Sequence, residues 1–177
     1  LGMLKSKKIG GDIGAIISKD GHIMDGHHRW AASILAAGKA ATVGGWVANL
    51  NGQKLVAVLN VITKGYFGRR NGNKGSGDIK QFTPKETKKV LLEYTTKGRG
   101  GEYAMSAQEI QTILIDYYGS VEIGIATMSS NASYITKSVP SWAPDRIDMP
   151  VINSDEVPEA AKLLNKGLVD WNEPFSR

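Results

Sequence analysis

The alternation of apolar and polar positions divides the 177-residue chain into a strand-bearing first part and a helical second part. In GAIISKDGHIMD (14–25), two short apolar runs, Ala15 to Ser18 and His22 to Met24, flank Lys19-Asp20-Gly21. Asp-Gly between apolar runs predicts a β-hairpin. The next stretch, DGHHRWAASILAAG, has Asp25 or Gly26 as a helix start and Gly38 as a stop, with Ala31, Ile34 and Leu35 at helical spacing. VGGWVANL (43–50) reads as a strand, while QKLVAVLNVITKGYF (53–67) fits both periods and is assigned to helix in its first part.

GRRNGNKGSGD (68–78) is glycine-rich and basic, the composition of a loop. Thr83-Pro84-Lys85-Glu86 is a capping box with proline at the first helical position, and it predicts a helix to about Thr96. Ser106-Ala107-Gln108-Glu109 opens a second helix to Tyr118, and a third follows Gly119-Ser120 over Val121 to Ile135. After prolines 140, 144 and 150 the pattern predicts a short strand, Met149 to Ile152, and a helix over about 158–166 closed by Gly167. The expected class is α/β (α+β). Its parts are a sheet-containing domain over 1–67, a connector over 68–78, a helical subdomain over 79–138, and a tail over 139–177 packing back on the first domain.

The longest apolar runs, VLNVI (58–62) and ILI (113–115), fall far short of the roughly 20 residues of a membrane span. The first residues, LGMLKSKK, carry no apolar core with a cleavage site, so no secretory signal is expected and the cytoplasm is the default compartment. With no cysteine, disulfides, thiolate zinc sites and cysteine nucleophiles are excluded. Charge is uneven along the chain. Residues 1–100 carry 17 Lys and Arg against 6 Asp and Glu, whereas 101–177 carry 5 against 11. A basic first half suits a polyanion such as DNA or nucleotide phosphate, and equally a solvated lysine surface.

All three histidines fall in HIMDGHHR, residues 22–29. A helix N-terminus exposes unpaired N–H groups and positive partial charge, and so attracts phosphate. Here Gly26 lets backbone approach a ligand, Arg29 can make two parallel bonds to phosphate oxygens, and His27 or His28 can act as acid or base near neutral pH. Local pairing of Arg29 and a histidine with Asp25 is the competing, purely structural reading. A metal site is a weaker one, with His22 and Asp25 as its candidate ligands. Adjacent His27 and His28 diverge by about 100° on a helix and do not easily share an ion.

The stretch IMDGHHRWAASILAAG resembles the signature of the ParB/sulfiredoxin superfamily, in particular the ParB-like nuclease domain. There a strand ends in a Gly-x-x-Arg turn that begins a helix and binds phosphate. Gly26 and Arg29 take those two positions, and His28 matches the histidine that sulfiredoxins and several ParB-like relatives place before the arginine. The catalytic cysteine of sulfiredoxin is replaced by His27, which removes sulfinic acid reductase activity. Chromosome-partitioning ParB proteins carry Gly-Glu-Arg-Arg at this turn and bind CTP; His27 and His28 depart from that pattern. The likeness covers about residues 14–62, and APDRIDMPVI resembles the end of ParB-like proteins of phages and mobile elements.

The resemblance implies a small mixed sheet with helices and DNase or NTPase chemistry. Gly26 and the helix N–H groups would hold phosphate, Arg29 would neutralise transition-state charge, and His28 or His27 would serve as base or acid. Asp25 would orient a histidine or bind Mg²⁺, and ATP or another nucleotide would occupy the same turn. Alternatives are a DNA-binding or partitioning module with a nucleotide switch, a serine-type small-molecule kinase using Asp20 or Asp25, and a phage structural protein. Arg69, Arg70 and Lys74 are the candidate DNA contacts in the connector, or simply linker residues. Lys85, Lys88, Lys89, Lys97 and Arg99 form a basic stripe or a solvated face. Trp30, Trp46, Trp142 and Trp171 are expected to pack. Oligomeric state is open at this level.

Overall fold

The structure, a computed structural model, describes residues 1–68 and 79–166. Arg69, Arg70, Lys74, Gly167 and Trp171 lie outside the described residues. The fold is mixed α and β: helices α1 (Gly2–Ser6), α2 (His27–Ala37), α3 (Gly52–Val61), α4 (Pro84–Lys97), α5 (Ala107–Tyr118), α6 (Val121–Lys137) and α7 (Val157–Asn165), with strands β1 (Gly11–Ser18), β2 (Ile23–Asp25) and β3 (Val43–Ala48). By its contacts the chain forms two compact units. Their described parts are residues 1–11, 28–43 and 79–140 for one, and 12–27, 44–68 and 141–166 for the other.

In the strand-bearing unit the sheet order is β2-β1-β3. β1 and β2 form the antiparallel hairpin, with Ile17 opposite Ile23 and Ile16 opposite Asp25 and an irregularity between the two pairs. β3 runs parallel to β1: Gly45 lies against Ala15, and Lys19 N–H donates to Leu50 at 2.9 Å. The backbones approach so closely at Gly45 that a Cβ there would stand 2.1 Å from the Ala15 carbonyl oxygen. The core of this unit gathers Ile16, Met24, Leu55, Val58, Leu59, Ile62, Ile152, Val157 and Leu163. Helix α3 continues through a wider, π-helical turn over Ile62–Tyr66, where buried Thr63 returns its hydroxyl to the Asn60 carbonyl.

Two expectations fail here. Met149 to Ile152 is not a strand: the segment is extended and irregular, and Ile152 packs into the core without joining the ladder. Its apolar pattern reports burial, which a loop over a core satisfies as well as a strand does. Trp46 is 47% exposed, so it is no core residue; it lies on the outward stretch of β3 together with Val47.

In the helical unit the capping signals set the boundaries. Thr83 accepts from Glu86 N–H at 3.2 Å, and Pro84 occupies the first turn. At Ser106 the box is reciprocal: its hydroxyl accepts from Glu109 N–H and the Glu109 carboxylate accepts from Ser106 N–H at 2.9 Å. Gly119, at φ +89°, ends α5, and Ser120 caps α6. The core unites Leu4, Ala36, Leu91, Ile110, Ile113, Leu114, Ile125 and Met128.

Candidate functional site

β2 delivers the chain to Asp25, Gly26 takes φ +90°, and α2 begins at His27. That φ belongs to the region glycine enters without the Cβ penalty, so glycine permits the abrupt change from strand to helix. Five consecutive residues, Asp25 to Arg29, are thereby held at a strand-to-helix turn. Of these His28 is exposed, and Asp25, Gly26, His27 and Arg29 are half-buried. Asp25, His27, His28 and Arg29 are each engaged by other groups. No carboxylate falls within the first turn of α2, so the positive end of the helix is joined there by two imidazoles and a guanidinium.

Helix α2 is anchored within the helical unit at its C-terminal end. Buried Ser33 donates to the Arg29 carbonyl at 3.0 Å, and the buried residues are Ala31, Ser33 and Ala36, with Ile34 and Leu35 only partly covered. At its far end Asn131 donates to Leu35 O at 3.0 Å and the Tyr118 hydroxyl to Ala36 O at 2.8 Å. These bonds satisfy last-turn carbonyls that a helix leaves unpaired. Burial, with Tyr117 beside it, pushes the Tyr118 hydroxyl well above its ordinary range, so it stays a donor.

His22, a candidate metal ligand by sequence, lies in a different cluster, with Asp20 and Trp142. Its Nε2 is 3.7 Å from Asp20 Oδ2, and its ring meets Trp142 edge-on at 5.0 Å. The Ser18 hydroxyl donates to Asp20 Oδ1, which also accepts from Gly52 N–H at 2.9 Å. Asp20 thus caps α3 from 32 residues away, beside the local cap Asn51, which accepts from Lys54 N–H. Ser18, Asp20 and His22 are the residue types of a nucleophilic triad, but the arrangement is not one. The serine hydroxyl points to the carboxylate rather than to the imidazole, and Ser18 is buried. Among the described residues no group of three or more histidine, aspartate or glutamate side chains gathers to hold a metal ion.

The Ser18 hydroxyl, followed by the Gly52 N–H, holds the Asp20 carboxyl below its ordinary value of 3.8. A carboxyl depressed by folding contributes stability that is fully present above the unfolded value and lost as pH falls through the lower folded one. Urea midpoints of the wild type are therefore expected to drop more steeply below pH 3.8 than those of Asp20→Asn. Parallel acid limbs for the two proteins would remove Asp20 from this role.

Among the described residues no helix is long and apolar enough to cross a membrane. Comparisons with family models, with curated proteins and with solved structures find no match for this chain.

Proposed function

We propose that the chain binds phosphate at the first turn of α2 and hydrolyses DNA phosphodiesters there, as a ParB-like nuclease. The observation that carries this reading is the positive-φ Gly26 turn, launching a helix whose first three residues are His27, His28 and Arg29 and whose first turn holds no carboxylate. Backbone N–H groups of that turn would hold a phosphate oxygen while Arg29 balances the charge that develops on phosphorus-bound oxygens. His28, the exposed histidine, takes a proton from the attacking water as the bond to the leaving oxygen breaks, and that oxygen is protonated from solvent. His27 and Asp25 would position the turn, and Asp25, just before α2, is the carboxylate that would bind Mg²⁺ or orient a histidine. The sheet and helices would then be a ParB/sulfiredoxin-like domain, with DNA and a nucleotide such as ATP as partners and the cytoplasm as compartment.

The anchoring of the far end of α2 to Asn131 and Tyr118 favours a second reading. An anion at the start of α2 would bear on a helix tied to α5 and α6, as a nucleotide switch in a DNA-binding module requires. The kinase alternative is weaker, because Asp20 is committed to Ser18, Gly52 and His22.

The test is conversion of supercoiled plasmid to nicked or linear DNA with Mg²⁺, with and without ATP. Arg29→Ala and His28→Ala are each expected to lower the rate by about 10²-fold, the usual effect of losing one transition-state contact. Equal cleavage by wild type and variants would refute the site. Absence of cleavage by the wild type would refute the nuclease, and a rise in melting temperature with ATP or CTP, lost in Arg29→Ala, would then establish the switch.

A further inference from the structure

We draw no further inference here: the strongest candidate, the side-chain cluster where the end of α3 meets residues 146–148, with Asn60 Oδ1 and Arg146 Nε buried and without a hydrogen-bond partner among the described residues, carries nothing because both side chains stay partly open to solvent and nothing in the structure points to a ligand for them.

Discussion

Gly45→Ala is expected to cost the chain more than about 3 kcal/mol of stability, within the range reserved for backbone conflict in a core. The added methyl would stand 2.1 Å from Ala15 O, 2.6 Å from Ala15 N and 2.8 Å from Ala15 C. All three are backbone atoms of β1, and Ala15 is fully buried, so relief requires separating β1 from β3. The contrast with Gly52 is instructive. There a methyl would meet the Trp142 ring at 2.6 Å, and a side chain can swing aside at lower cost. Gly65, with nothing within 4 Å, is the control: alanine there should be neutral or slightly stabilising. Urea unfolding of the three variants reads the ranking, and a Gly45→Ala midpoint equal to wild type would mean that β1 and β3 do not pair in this register.

Leu114→Ala should destabilise by about 2–5 kcal/mol, the range for a buried leucine that leaves a cavity. Leu114 is fully buried in α5, in the core with Leu91, Ile110 and Ile125, and it packs on Gly124 of α6. A methyl at Gly124 would lie 3.1 Å from Leu114 Cδ2 and 3.2 Å from its Cβ, so the absence of a side chain lets the two helices approach. The two positions are therefore coupled. In the Leu114→Ala background the Cδ2 contact is gone while those with Tyr118 Cδ2 at 3.0 Å and with the Cβ at 114 remain, so Gly124→Ala should be tolerated better there than in the wild type. In the wild-type background the same change should gain less or cost stability. A double-mutant cycle with no coupling would mean that Leu114 does not pack on α6.

The elements legible in the sequence are those whose cause is local. The Asp20-Gly21 hairpin, the Thr83, Ser106 and Ser120 caps and the glycine stop at 119 act within a few residues, and their helices and strands lie close to where the pattern puts them. The start of α2 after Gly26 is local in the same sense, which is why the candidate turn could be found before any fold was known. Helix α1 went unread because five residues carry too little periodicity; it is held by Leu4 in the helical core. The segment 149–152 was misread because its pattern records burial without saying whether a ladder partner exists.

The site residues divide along the same line. Asp25 to Arg29 are consecutive, and strand, turn and helix follow from their own backbone preferences. His22 offered no local sign of its partner, since Trp142 is 120 positions away, and Asp20 became a helix cap only when α3 brought the Gly52 N–H to it. The same holds for Gly45, where a glycine in a strand pattern gains its necessity from Ala15 on the neighbouring strand. By itself, then, the sequence determined the hairpin, the capped helices and the basic turn at the head of α2, because hydrogen bonds between near neighbours decide them. Only the tertiary structure decided which strand lies beside which, which tryptophan stays exposed, and which distant carboxylate caps α3, because those depend on contacts between residues far apart in the chain.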